Sequence, residues 1–340
     1  MLMEQAVLQS RSLNNELRQG KKNWAVVVAG PTCSGKSFLA LQLAQSLNGS
    51  IINADAMQCY ADLRIITARP SFEDEKQVPH YLYGVLPWYK TGNVGWWRQQ
   101  ALNQLQKIWE NHKLPVLCGG TGMYFHSLIH GIATIPEPDP SIRKQARQLV
   151  NDGKLADLYN ELAKEDPESV EELKSNDSQR IARAWEVWKS SGKGLRYWQK
   201  HAHLPGADCN FIVIRLAPER SVLRQAVANR FGLMIDEGAL EEVKLYAEKK
   251  PSLSCPLSRA HGVPEFMAYL NNRISIKEAV EQAVKNTQRY IKRQETWFSH
   301  RILAPVQQTC IFNSRIDKNT QYLQRIIKKS ELFINSFIDE

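Results

Sequence analysis

Residues 30 to 37 read GPTCSGKS and match the pattern G-x-x-x-x-G-K-[ST] at every fixed position. The loop follows the apolar run WAVVVA and precedes SFLALQLAQSL, whose apolar residues recur at helical spacing. In such a strand, loop and helix, backbone N–H groups hold phosphates, Lys36 neutralises them and Ser37 is a Mg²⁺ ligand. An ordinary glycine-rich turn would leave Lys36 beside Ser37 unexplained. The predicted phosphate- or nucleotide-binding residues are Gly30, Pro31, Thr32, Cys33, Ser34, Gly35, Lys36 and Ser37.

A second chemical signal is a single acid at the end of a predicted strand. A hydrolase for nucleoside triphosphates needs a carboxylate at a strand end to organise Mg²⁺ and water. The strand KLPVLCGG has none, and Asp55 is the one acid at the carboxyl end of a predicted core strand. Asp55 suits a metal carboxylate or a general base beside the phosphates, with a helix N-cap as the alternative. Thr121, in the glycine-rich turn GGTGMYF, presents a hydroxyl near the same face.

The elements that carry these residues alternate between strand and helix. The runs WAVVVA, GSIINAD, KLPVLCGG and CNFIVIRL are typical of buried strands, and helical patterns such as WWRQQALNQLQKIWENH separate them. This alternation predicts an α/β fold with a P-loop NTPase-like core, in which helices flank a parallel sheet and ligands bind at the carboxyl ends of its strands. The second strand is predicted to end at Asp55.

Charged helical sequence interrupts the sheet pattern between residues 141 and 205, which predicts an all-helical insertion domain. We expect Trp185 and Trp188 to lie in its core. The catalytic core then comprises residues 23–140 and 206–315, with basic helices in its second part. The predicted termini are an N-terminal tail at 1–22 and a C-terminal helical tail at 316–340.

The clearest helix of the last third is SIKEAVEQAVKNTQRYIKRQETWFSHR, where Ser275 and Glu278 form a capping box. Lys285, Arg289 and Lys292 recur on one of its faces and suit phosphate contacts, with a solvated surface as the alternative. The formal net charge of +9 favours a polyanionic partner. The predicted apolar stripe is Ile276, Ala279, Val280, Ala283, Val284, Tyr290 and Ile291.

Composition also bounds the cellular setting. The six cysteines form no C-x-x-C pair, which favours neither a zinc site nor a disulfide framework and fits the reducing cytoplasm. No apolar run is long enough to span a bilayer, and residues 1–22 lack a signal-peptide core. Without a coiled-coil seam, we expect a monomer.

Several motifs together resemble one enzyme family. GPTCSGKS, INADAMQCYADLRIITARPS, VPHYLYG, PVLCGGTGMYF and NDSQRIARAWEVW, in this order and spacing, are similar to the tRNA dimethylallyltransferases, also called tRNA isopentenyltransferases, from about Trp24 to about Arg301. The resemblance implies transfer of a dimethylallyl group from its diphosphate to N6 of the adenosine 3′ of the anticodon, in tRNAs that read codons starting with U. It also implies Mg²⁺ and two partners, dimethylallyl diphosphate and the tRNA anticodon stem-loop.

The resemblance further implies roles for individual residues. Thr32 to Ser37 surround the diphosphate leaving group, with Lys36 and Arg230 acting on it, and Asp55 is the base that accepts a proton from the adenine amine. Thr121 is implied at the catalytic centre and in tRNA contact. The implied tRNA-binding residues are Asp55, Ala56, Met57, Gln58, Thr121, Arg143, Gln179, Arg180, Ile181, Ala182, Arg183, Arg259, Ala260, His261 and Gly262.

One segment departs from the family pattern. The family commonly has R-x-x-G-Y-R in its last tRNA-contacting loop, whereas this chain has RAHGVPEF from Arg259, so the second arginine is missing. No Cys/His pair follows the core, which favours a bacterial-type enzyme. Two other classes remain open: a small-molecule or nucleoside kinase that uses the loop for ATP, and a nucleic-acid-binding NTPase or RNA-binding module.

Overall fold

A computed structural model of the protein describes residues 23–171, 173–252, 255–317 and 323–338. The predicted N-terminal tail, residues 1–22, lies outside this part of the chain. Two compact units divide the chain: one combines the residues up to Ile129 with those from Asp208 onward, and the other comprises His130–Ala207.

Strands and helices alternate through the first unit and helices dominate the second. The strands of the described residues are β1 (Trp24–Ala29), β2 (Gly49–Asn53), β3 (His80–Tyr81), β4 (Leu114–Gly119), β5 (Ile132–Ala133), β6 (His203–Leu204), β7 (Asn210–Leu216) and β8 (Thr309–Phe312). The helices are α1 (Lys36–Ser46), α2 (Phe72–Gln77), α3 (Val94–Glu110), α4 (Gly122–Ile129), α5 (Pro140–Asn151), α6 (Leu155–Glu165), α7 (Pro167–Val170), α8 (Ser178–Ser191), α9 (Leu195–His201), α10 (Arg220–Asp236), α11 (Ala239–Glu248), α12 (Val263–Leu270), α13 (Ile276–His300) and α14 (Leu323–Ile338).

The first unit is built on a parallel sheet with the strand order β3-β2-β4-β1-β7-β8. In the centre, Val26 of β1 pairs with Val116 of β4 on one side and Ile212 of β7 on the other. Residues 25–29 of β1 are fully buried, because helices cover both faces of a parallel sheet. The α/β prediction with a P-loop NTPase-like core is therefore confirmed.

Helix α13 follows the predicted pattern at its start. The Ser275 hydroxyl accepts a hydrogen bond from the Glu278 N–H at 3.2 Å, and the Glu278 carboxylate accepts one from the Ser275 N–H at 2.8 Å, so the capping box is confirmed. The buried face of the helix includes Ala279, Ala283 and Ile291 as predicted, but it continues through polar positions. The buried residues of the helix are Ala279, Ala283, Thr287, Ile291, Gln294 and Phe298.

The second unit has its own core. Trp185 is buried there with Leu162 and Ile181, and Trp188 packs against them, as predicted. The all-helical prediction missed an antiparallel pair in which Ile132 of β5 faces Leu204 of β6. Strands of two residues are too short to show a periodic pattern. This pair joins the two ends of the insertion, so the unit is wider than the predicted range of 141–205.

The predicted C-terminal tail contributes to the main core. Ile316 is buried in it, and α14 packs against α1 through Ile326, Ile327 and Ile334. Within the described ranges, no helix combines the length and apolar character needed to cross a bilayer.

Candidate active site

The phosphate loop joins β1 to α1 at the carboxyl edge of the sheet. Cys33 and Gly35 have φ values of 62° and 90°, and this left-handed backbone turns the chain sharply into the helix. Because α1 begins at Lys36, the helix N-terminus faces the loop. Lys36 Nζ donates to the Pro31 carbonyl oxygen at 3.3 Å, and Lys36 and Ser37 line a cavity of about 620 Å³. The loop therefore has the geometry of an anion site.

Asp55 lines the same cavity, from the turn after β2. The strand ends at Asn53 rather than at Asp55 as predicted, because the buried Asn53 side chain turns the chain: its Oδ1 accepts from the Asp55 N–H at 2.8 Å. Asp55 Oδ1 in turn accepts from the Met57 N–H at 3.0 Å, where a short 3₁₀ helix begins. The carboxylate thus has a local capping contact and still lies with Lys36 on one cavity.

Thr121 joins the turn after β4 to the turn after β2. Its hydroxyl accepts from the Ala56 N–H at 3.0 Å, and its own N–H donates to the Ala54 carbonyl at 3.1 Å. A Cβ at Gly119 would overlap the Ala54 backbone, so glycine is required where the two turns meet. Thr121 thereby helps to fix the backbone that carries Asp55.

Burial shifts the pKa values of four ionisable groups near Asp55. Burial first, and then the negative charge of Asp55, raises the pKa of the Cys59 thiol and of the Tyr290 phenol. Burial raises the pKa of Cys118 to about 11, and burial lowers the pKa of His261 below its usual 6.5. At neutral pH the two thiols and the phenol keep their own protons, so none of these three groups competes with Asp55 for an incoming proton.

Arg230 brings a second cation to the loop from α10. Its Nη1 lies 3.4 Å from the Thr32 hydroxyl and 3.5 Å from the Cys33 sulfur. Arg230 and Lys36 both line the cavity, so these two cations and the helix N-terminus can all act on a bound anion.

Three further residues at the cavity or its loop were not predicted. Arg69 lines it and donates to the Tyr60 and Ala61 carbonyls. Buried Gln294 of α13 accepts from the Thr32 N–H and donates to the Gly120 carbonyl, both at 3.0 Å. Arg315 donates from Nε to the Cys33 carbonyl at 3.1 Å and also lines the cavity. Only Gln294 left a signal in the sequence, as a polar residue at a core position of an amphipathic helix.

The loop that departs from the family pattern has a partly buried environment. Ala260 is buried, and the His261 ring lies 4.7 Å from the Tyr290 ring. Gly262 has a φ of 93°, and a Cβ there would press on Ile66 and Phe231. The positions of the missing Tyr-Arg pair are the buried Val263 and the exposed Pro264, which begin α12. Among the predicted RNA contacts of this loop, Arg259 is the residue with a positively charged side chain.

Two more predicted RNA contacts, Ala56 and Gln58, lie near Asp55 and form hydrogen bonds within the protein. Gln58 Nε2 donates to the Thr67 and Ala68 carbonyls at 3.0 Å and 2.8 Å. Ala56 is bound through its N–H to Thr121, as described above. These residues hold the turn after β2 in place.

The remaining predicted RNA contacts lie in the second unit. Arg143, on α5, pairs with Glu137 at 2.7 Å. The segment from Gln179 to Arg183 forms the first turns of α8, whose N-terminus Asp177 caps. Gln179 and Arg180 are exposed, Ala182 and Arg183 are half-buried, and the Ile181 side chain is fully buried in the core.

A phosphate loop at the carboxyl edge of a parallel sheet, with cations and a carboxylate on the same cavity, defines a P-loop α/β protein suited to bind a diphosphate or nucleoside phosphate. Residues 58–301 match the family model described as IPP transferase, and residues 24–83 match the one described as isopentenyl transferase. The chain belongs to the IPP transferase family, and the resemblance inferred from the motifs is confirmed.

Individual relatives agree with this membership. A protein of Granulibacter bethesdensis named tRNA dimethylallyltransferase is 46% identical over 93% of this chain and 99% of its own length. The solved tRNA isopentenylpyrophosphate transferase of Bacillus halodurans is 28% identical, covers 94% of this chain and 97% of its own, and superposes with a TM-score of 0.66. A eukaryotic dimethylallyltransferase described as acting on tRNA gives a TM-score of 0.74 at 25% identity, covering 92% and 80% of the two chains.

Proposed function

We propose that the protein transfers the dimethylallyl group of dimethylallyl diphosphate to N6 of the adenosine 3′ of the anticodon, in tRNAs that read codons beginning with U. The observation that carries the proposal is the single cavity that holds the phosphate loop with Lys36 and Arg230 together with the carboxylate of Asp55. The names of relatives at 45–46% identity support the same activity.

In the proposed reaction, the bond between the allylic carbon and the diphosphate oxygen breaks as the bond from N6 to that carbon forms. Negative charge builds on the departing diphosphate, and loop N–H groups, Lys36 and Arg230 are suited to stabilise it. Because this charge grows as the bond breaks, the preorganised donors stabilise the transition state more than the bound substrate.

Magnesium fits this donor set. Ser37 offers a hydroxyl oxygen at the cavity, and within the described residues no group of three His, Cys, Asp or Glu side chains gathers as a metal site. Mg²⁺ commonly takes few protein ligands and shares phosphate oxygens. We propose that Ser37 would hold Mg²⁺ together with the diphosphate, and the bound ion would supply further neutralisation of the leaving group.

The acceptor needs a base, because the N6 lone pair is delocalised into the adenine ring and the amine sheds a proton as the bond forms. We assign that proton to the Asp55 carboxylate, which lines the cavity on the turn that Thr121 helps to fix. The adenosine has to leave its stack to enter the cavity, and a single-stranded anticodon loop makes this affordable.

A basic groove on the first unit supports the RNA substrate. Lys285, Arg289 and Lys292 of α13 line it, facing Arg220 and Arg224 of α10 across a space of about 270 Å³. Arg220 pairs with Glu295. Five cations around one groove suit the closely spaced phosphates of an RNA backbone.

The test is transfer of label from radiolabelled dimethylallyl diphosphate to an anticodon stem-loop RNA, with Mg²⁺ and without ATP. Labelled RNA is expected, and the same RNA with guanosine in place of the acceptor adenosine should stay unlabelled. If neither RNA is labelled and the protein instead transfers phosphate from ATP to a small acceptor, the proposal is refuted and a kinase is favoured.

We also propose that the protein works as a cytoplasmic monomer. The tRNA substrate is cytoplasmic, and all six cysteines are unpaired. Light scattering of the purified protein should give a mass near the 38.9 kDa of one chain, and a mass of twice that would contradict the monomer.

A further inference from the structure

The segment that follows β8 lies directly against the phosphate loop. We call residues 313–317 the loop-contact segment. It begins where the edge strand β8 ends, at the same edge of the sheet as the phosphate loop. It also lies beyond residue 301, where the match to the IPP transferase model ends.

Two hydrogen bonds and one close approach join the two pieces of chain. Arg315 Nε donates to the Cys33 carbonyl at 3.1 Å, and the Ile316 N–H donates to the Ser34 carbonyl at 2.9 Å. A Cβ at Gly35 would overlap the Ile316 carbonyl, so only glycine permits this contact. Ile316 itself is buried in the main core, which anchors the segment.

The bond to Ser34 has a consequence for the phosphate site. In a trans peptide the carbonyl and the following N–H point in opposite directions. With the Ser34 carbonyl held by Ile316, the Gly35 N–H points away from the segment, and Gly35 lines the cavity. The loop-contact segment therefore preorganises a backbone donor of the anion site.

Arg315 adds charge as well as geometry. Its guanidinium lines the same cavity as Lys36 and Arg230, and it forms an ion pair with Asp317 through Nη1. The Arg315 side chain is 31% exposed, so water would screen its attraction for a bound anion less than at a fully exposed site. Arg315 thus combines a loop contact with access to the cavity.

We propose that Arg315 is a diphosphate-binding residue of the donor site, which acts on the anion together with Lys36 and Arg230. The assignment of the donor rests on the proposed function. The expected loss on neutralising one charged hydrogen-bond donor is about tenfold in diphosphate affinity, at the low end for charged groups because Asp317 shares the guanidinium.

The experiment compares Arg315→Gln, Arg315→Lys and Arg325→Gln with the wild type in calorimetric binding of inorganic diphosphate with Mg²⁺. Arg325 is exposed on α14 and serves as the matched control, since its replacement removes the same charge from the same end of the chain. Arg315→Gln should raise the Kd for diphosphate about tenfold and make it less sensitive to salt, while Arg315→Lys should stay closer to wild type. The Kd of Arg325→Gln for diphosphate should stay within about twofold of the wild-type value. The Kd of Arg315→Gln for the stem-loop RNA should also stay within about twofold of wild type.

An unchanged Kd in Arg315→Gln would overturn the proposal. The proposal would also be overturned if Arg315→Gln and Arg315→Lys lost diphosphate affinity equally and lost RNA affinity to the same extent. That result would show that Arg315 only supports the structure. These outcomes are independent of the proposed function, which wild-type transfer activity tests: an active wild type with a normal Arg315→Gln Kd refutes only the role of Arg315. A wild type that transfers nothing refutes the donor assignment.

Discussion

Gln294 lies buried between two loops of the candidate site, with 5% of its surface exposed. Its Oε1 accepts from the Thr32 N–H of the phosphate loop, and its Nε2 donates to the Gly120 carbonyl after β4, each at 3.0 Å. Replacement by leucine nearly preserves the volume and removes both bonds. The Gly120 carbonyl then stays buried without this partner, and the partly buried Thr32 N–H loses it as well.

The cost follows from those two groups. A buried acceptor left unsatisfied costs about 1–3 kcal/mol and a partly buried donor costs less, so Gln294→Leu should destabilise the protein by about 2–4 kcal/mol. For a chain of 340 residues, that corresponds to a fall in Tm of roughly 3–6 °C. Because Thr32 also loses its anchor, the KM for dimethylallyl diphosphate should rise.

Thermal unfolding followed by circular dichroism measures the first effect, and initial rates of transfer measure the second. Gln282→Leu is the matched control, since Gln282 is exposed on the same helix and the same substitution there should change the unfolding free energy by less than about 0.5 kcal/mol. If the Tm of Gln294→Leu lies within about 2 °C of that control, the two bonds do not carry the stability that burial implies.

Three other changes follow from the same geometry. Asp55→Asn should lower the transfer rate at saturation by about 10²–10⁴-fold with RNA affinity nearly unchanged, as measured by single-turnover labelling and RNA binding; weak binding with a normal rate would contradict its role as base. Lys285→Glu should weaken RNA binding and lower the slope of log affinity against log salt by about one, while Lys277→Glu at the exposed start of the same helix should leave that slope unchanged. Folding raises the Cys118 pKa from 9.0 to about 11, so the unfolded chain releases this proton first and stability should fall as pH rises from 9 to 11. Cys118→Ala should flatten that fall in pH-dependent unfolding, and an unaltered profile would show that this thiol does not contribute.

Local pattern was sufficient for the features that depend on neighbours in the chain. The phosphate loop between β1 and α1, the parallel sheet and the Ser275 capping box each follow from residues a few positions apart. The end of β2 was misplaced by two residues, because the turn depends on the particular bonds of the Asn53 side chain rather than on periodicity.

Contacts between distant parts of the chain could not be predicted in this way. Gln294 reaches Thr32 across 262 positions, and Arg315 reaches Cys33 across 282. Arg230 was found only because the family resemblance pointed to it, although it lies 198 positions from Thr32. No local rule links such residues, since only the folded sheet brings their strand ends and helices to one edge.

The edge of the sheet also explains where the carboxylate of this site comes from. In P-loop NTPases an acid at a strand end helps to hold the metal. Here β4, the neighbour of β1, ends in Gly119, and even a Cβ at that position would overlap the Ala54 backbone. An aspartate is therefore sterically excluded from that position while the turn after β2 lies so close. The same turn supplies Asp55 instead, one strand further from β1 in the sheet and on the same cavity as the phosphate loop, where our proposal assigns it the proton of the acceptor amine.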